Sequence, residues 1–368
     1  MYILNYHKEE KEKEMEKFKK ILEKIFIEGL SGMAQGLFAT LIIGTIISQI
    51  GLLISGPVGN MIFVLGKVAC SLTGAGIGIG IAYRFKEHQL VVVSAGVAGM
   101  IGAYAAKLIA GTVFVDGAIV YAGPGEPMGA FIAAYVGMQL GHLVAGKTKV
   151  DILVTPMVTI GSGAIVGLLV GPSISKFMTG LGAIINWGTE QQPFLMGIIV
   201  SVIMGMVLTL PISSAALGII LNLSGLAAGA ATVGCCCNMV GFAVASYREN
   251  KFGGFLAQGI GTSMLQVANI VRKPVIWLPV IISSAILGPV STMVFHMTNN
   301  ATGSGMGTSG LVGQIMTWQT MIQTESQLIV FVKIMLMQVI LPAVVTLIFS
   351  ELMRKKNWIK DGDMKLDL

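Results

Sequence analysis

The feature that most constrains this chain is a series of apolar runs, each about 20 residues long, joined by short connections that hold most of the charge. A helix of that length crosses the hydrocarbon core of a bilayer and satisfies its own backbone, as lipid requires. Candidate spans lie near 31–53, 57–83, 91–115, 126–146 and 151–171, with a second set near 194–221, 222–247, 253–271, 274–297 and 328–351. Composition excludes the soluble alternative, because only 11% of residues are charged where soluble domains carry about 25%. The 48 glycines allow helix backbones to approach closely in lipid, where association relies on packing. The expected fold is an all-α integral membrane protein of about ten transmembrane helices, with the bilayer as its first partner.

Lys and Arg near span ends concentrate on the cytoplasmic side. With the N-terminus inside, only Lys176, Arg248 and Lys251 fall outside, and Lys67, Lys107 and Lys333 fall within spans; the rest of the 24 Lys and Arg are cytoplasmic. Residues 1–29 read as a cytoplasmic amphipathic helix, with Phe18, Ile21, Leu22, Ile25 and Phe26 at helical spacing. The first transmembrane unit is expected over 30–171, an interfacial linker over 172–192, the second unit over 193–352 and a cytoplasmic tail over 353–368.

A weak internal similarity suggests how the units are related. Ala82-Tyr83-Arg84 matches Ser246-Tyr247-Arg248 at an offset of 164 residues, and Gly36 and Gly44 match Gly197 and Gly205. A copy with an odd number of spans inserts upside down, so the expectation is two inverted five-helix repeats with broken or re-entrant helices. Exchanging the roles of two such halves supplies the two conformations of alternating access, and solute sites in such folds lie where helices break near the midplane.

Two breaks stand out. Ala122-Gly123-Pro124-Gly125-Glu126-Pro127 cannot continue a helix and carries one carboxylate. Gly123, Gly125 and Glu126 are therefore candidate solute ligands, against the reading of an external loop with a solvated acid. The stretch Asn299 to Gly310 is small, hydroxylated and uncharged between apolar spans, as expected of a re-entrant tip. Its candidates are Asn300, Ser304, Gly305, Gly307, Thr308 and Ser309.

For ion or proton coupling the candidates are Glu126, Lys67 and His142, since an ionisable group inside a span is costly unless paired or hydrated. Snorkelling suits Lys107 and Lys333 better than Lys67. Amides within spans, among them Gln35, Gln49, Asn60, Gln139, Gln258, Gln266, Asn269 and Gln338, either join helices or line a polar path. Cys235, Cys236 and Cys237 are consecutive, so on a helix they diverge and hold no ion; with Cys70 they read as small packing residues. No metal or other cofactor is expected. The net charge of +6 is distributed over loops and does not form a nucleic-acid groove. No GxxxxGK[ST], GxSxG or HExxH sequence occurs, so no catalytic motif is present.

The Gly-Pro-Gly-Glu-Pro-Met-Gly-Ala turn at 123–130, the Gly-Met-Gly-Thr-Ser-Gly-Leu-Val-Gly stretch at 305–313 and the span layout resemble a divergent EIIC branch of the bacterial sugar phosphotransferase system. Members of that branch are often labelled toxin regulators, after a perfringolysin regulator. The resemblance covers roughly residues 30 to 355. It implies a permease in a bacterial cell membrane, with cytoplasmic termini, that binds a sugar and presents it to a cytoplasmic phosphocarrier, with contacts around Glu126 and Gly305 to Gly313. No Gly-Ile-Thr-Glu signature occurs in the sequence, and with such short tails no attached phosphocarrier domain is expected, which argues against coupling to phosphorylation. The expected function is alternating-access transport of a sugar or similar small hydrophilic solute by a homodimer. The alternative is a membrane sensor or regulator that keeps the fold.

Overall fold

The computed structural model describes residues 24–54, 56–115, 117–121 and 123–366. Most of the expected N-terminal helix thus lies outside the described residues; its last turn, Lys24–Gly29, leads into the first span. The helices are α1 (Ile27–Leu53), α2 (Pro57–Ser71), α3 (Thr73–Arg84), α4 (Gln89–Ala103) and α5 (Ala105–Ile109). A two-stranded hairpin follows, β1 (Phe114–Val115) and β2 (Ala118–Ile119). Then come α6 (Pro127–Val144), α7 (Asp151–Thr189), α8 (Pro193–Thr209), α9 (Ser214–Ile220), α10 (Gly225–Ala245) and α11 (Tyr247–Leu256). The chain ends with α12 (Val267–Arg272), α13 (Pro274–Val294), α14 (Ala301–Ser304), α15 (Val312–Met321) and α16 (Gln327–Lys355).

Among the described residues, six helices are long and apolar enough to cross a membrane, or seven when α2 and α3, bent by 51°, count as one span. The molecule is therefore an all-α, multi-pass membrane protein. α4 and α8 are shorter apolar helices. The expected crossing near 253–271 is not one helix: α11 is followed by short π and 3-10 turns at Ala257–Gly261 and Ser263–Gln266 before α12. The stretch expected as a separate linker, 172–192, belongs mostly to α7, which runs unbroken from Asp151 to Thr189 with Pro172 inside it. At 39 residues this helix is about 58 Å long, nearly twice the thickness of a hydrocarbon core.

Close approach of backbones explains the glycine content. A Cβ on Gly36 would sit 2.0 Å from the Gly76 carbonyl oxygen, and one on Gly234 would sit 1.9 Å from that of Ser201. These contacts lock α1 to α3 and α8 to α10. The centre of the second unit is α10, fully buried from Ala228 to Ala243 apart from a slight exposure of Val240. Polar side chains tie its neighbours to it. Asn238 donates to Gly234 O at 3.1 Å and Ser284 Oγ at 3.3 Å, and its Oδ1 accepts from Thr209 Oγ1 and Trp277 Nε1 at 3.1 and 3.2 Å.

The two Tyr-Arg loops lie on one face. Arg84 pairs with Glu28 at 2.6 Å, and Met264 and Val267 share a core cluster with Leu30, Ile77 and Ile81. On the same side Arg248 pairs with Glu351, Arg354 with Glu249, and Lys273 with Asp363. The expected inverted repeat, with 248–251 opposite 84–87, is not confirmed by this arrangement. Between α10 and α13 the chain breaks into short turns, with Ser263 Oγ 2.8 Å from Thr209 Oγ1, and does not form the continuous crossing that the repeat counted.

Candidate functional site

Three helix interruptions meet inside the protein. The first ends at Glu126, whose backbone N–H donates to Ala103 O at 2.8 Å and so fixes the turn onto the end of α4. Gly125 is left-handed (φ 73°), and a Cβ there would lie 2.7 Å from that of Ala103. The Tyr104 hydroxyl donates to the Gly123 carbonyl. The backbone N–H of Ser213 faces the Glu126 carboxylate, which makes no capping bond to α6, and its Oε1 is buried with no partner.

Ser213 belongs to the second interruption, Leu210 to Ser213 between α8 and α9, where Ile212, Ser213 and Ser214 are all buried. Pro211 ends the helix there by removing a donor. The sequence reading missed this break because it sits within a long apolar run; Pro211-Ile212-Ser213-Ser214 was the available signal.

The third interruption is the re-entrant segment between α13 and α15. Ser214 Oγ donates to Gly305 O at 2.6 Å, and Gly218 packs on Ser304. Asn299 Nδ2 is within 3.2 Å of Thr232 Oγ1, Thr317 Oγ1 and Gly313 O, which pins the segment after α13 to α10 and to the returning helix α15. Gly307 (φ 51°) lies on the backbone of Cys235 and Cys236, and Gly310 (φ 53°) lies against Thr45 and Ile46 of α1. Leu311 is also left-handed at φ 58°, a conformation that costs a branched L-residue about 1–2 kcal/mol.

The depth of the site follows from these contacts. Cys235 is the middle residue of the 21-residue α10, a helix about 31 Å long, so Gly307, packed on Cys235 and Cys236, lies beside the middle of that helix. In the first unit Glu126 opens α6 and His142 lies in its last turn, about 24 Å apart along the axis.

The candidate residues therefore separate. Glu126, Gly125, Ser304, Gly305, Gly307, Thr308 and Ser309 lie on or next to the converging breaks. Gly123 is exposed. Asn300 caps α14, its Oδ1 accepting from Gly303 N at 3.0 Å. Lys67 is exposed on α2, its Nζ 5.1 Å from the Phe63 ring centroid. His142 bonds Glu87 at 2.8 Å, at the opposite end of α6 from Glu126. The three consecutive cysteines are buried within α10.

Interrupted helices of a membrane bundle that meet at a carboxylate with one buried, unpartnered oxygen are the architecture of the permease class. The family model described as "Phosphotransferase system, EIIC" matches residues 27–366, and the chain belongs to that family. No curated protein matches it significantly.

Proposed function

We propose that the protein is an EIIC permease component that carries a sugar or similar small hydrophilic solute across a bacterial cell membrane by alternating access. The observation that carries this reading is the buried, partnerless Oε1 of Glu126, held where the breaks at 123–127, 210–214 and 303–311 meet. Free backbone groups and one acceptor inside lipid suit hydroxyl donors. Glu126 also serves as the coupling group in this reading. Lys67 and His142, turned away from the breaks, have lesser roles.

Orientation follows from charge. The face that gathers Arg84, Arg248, Lys273 and Arg354 is the cytoplasmic one, with both termini there, and moving Arg248 and Lys251 to it strengthens the positive-inside bias. A cytoplasmic phosphocarrier would dock on this face. The exposed apolar side of α2, with Val58, Met61, Val64, Leu65 and Val68, supports contact with lipid or the second subunit of a homodimer.

Uptake of radiolabelled sugars into proteoliposomes, with and without phosphocarrier proteins, tests the reading. Saturable flux that Glu126→Gln reduces is the expected result. Binding without flux would favour a sensor or toxin-regulator role, and absence of both would refute the permease.

A further inference from the structure

Near the tip of the re-entrant segment, a second group of polar atoms has no partner. Ser309 is 2% exposed, and its Oγ makes no hydrogen bond. Gln314 donates its Nε2 to Cys236 Sγ at 3.5 Å, which leaves its Oε1 buried and unpaired. On α1, Gln49 Oε1 is likewise buried and unpaired. Gln49 follows Ile46 and Thr45 by three and four residues, so it shares the helix face that packs on Gly310.

Each such group left dry costs about 1–3 kcal/mol. Three of them, from two separate parts of the chain, are expensive in a packed interior and appropriate in a cavity that receives hydroxyl groups. All three can accept hydrogen bonds and none carries a charge.

We propose that Gln49, Ser309 and Gln314 form a second, uncharged subsite that takes hydroxyl groups of a polyhydroxylated solute. The inference rests on the permease reading and deepens it. Glu126 holds one end of the solute, and the subsite between α1 and the re-entrant tip decides how far the solute extends. At most about 14 Å of chain separates Gly305, at the Ser214 junction, from Ser309, a span that admits a solute of one or two sugar rings.

Cysteine protection in the full-length protein, reconstituted in nanodiscs, tests the subsite. Ser309→Cys and Ser213→Cys are each treated with a water-soluble methanethiosulfonate reagent, with or without glucose or maltose, and the unsubstituted protein reports the background of its native cysteines. Ser309→Cys should react, and a sugar that protects Ser213→Cys should slow it also. Adding Gln49→Leu or Gln314→Leu should raise the protecting concentration about tenfold at Ser309→Cys and shift the preference between the one-ring and two-ring sugar.

Protection at Ser213→Cys but not at Ser309→Cys would overturn the subsite and leave the permease reading standing. Protection at neither position would overturn both. An unreactive Ser309→Cys, together with a higher melting temperature for Gln49→Leu and Gln314→Leu, would show dry packing and would also overturn the subsite.

Discussion

The Ser214 hydroxyl donates a 2.6 Å hydrogen bond to the carbonyl of Gly305, joining the α8–α9 turn to the re-entrant segment. The preceding residue, Ser213, reaches the Glu126 carboxylate. Three breaks far apart in sequence are thereby held as one unit beside the middle of α10. A change at any of them should be felt at the other two.

Ser214→Ala removes a buried bond and leaves a carbonyl unpaired, which should lower stability by about 1–3 kcal/mol. Gly305→Ala should act more strongly, because its Cβ would lie 2.2 Å from the Ser214 carbonyl oxygen. Thermal unfolding in detergent measures the first effect. Loss of sugar binding with helical circular dichroism intact is the outcome expected for the second.

Glu126→Gln keeps the size of the side chain and removes its charge. Solute binding should weaken by tenfold or more, about 1.4 kcal/mol or above, while oligomeric state and melting temperature change little. Isothermal titration beside size-exclusion chromatography checks both, and unchanged affinity would return Glu126 to a structural turn.

Lys86 and Lys251 are both exposed and lie in the two Tyr-Arg loops. Single cysteines at these positions should react with an impermeant maleimide from the same side of sealed vesicles. Labelling from opposite sides would restore the inverted arrangement expected from the Tyr-Arg match.

Asn238→Ala should cost about 2–4 kcal/mol, since it leaves the Trp277 indole without its acceptor, removes one of the partners of Thr209 and opens a small cavity. A lower melting temperature and altered tryptophan emission are the expected signals. Asn238→Ser should recover little, because its hydroxyl is too short to reach both.

The tail carries a pH dependence of known sign. Partial burial acts to raise the pKa of Asp363, but the Lys273 side chain at 2.5 Å, the Lys360 backbone N–H and the charges of both lysines outweigh it and hold the carboxyl below its ordinary value. A depressed folded-state pKa means stabilisation that is complete above the unfolded value, about 3.9, and is lost as pH falls through the folded one. Tail docking should therefore be constant through neutral pH and weaken only below about pH 4. Asp363→Asn should remove that acid transition, as followed by proteolysis of the tail.

The apolar runs and sparse charge determined that this chain is a helical membrane protein, because only self-satisfied helices of about 20 residues meet the demands of lipid. Gly123 to Pro127 and Asn299 to Gly310 were visible as breaks for a similarly local reason: those residues cannot propagate a helix. Hydropathy could not count the crossings, since the broken segment 257–272, the turn at Pro211 and the long α7 each look apolar whether they cross, turn back or lie at an interface. Nor could it say which breaks meet. Glu126, Ser214 and Gly305 come together through contacts across the two units, and only backbone approach at glycines such as Gly234 and Gly305, with hydrogen bonds between distant segments, fixes those contacts.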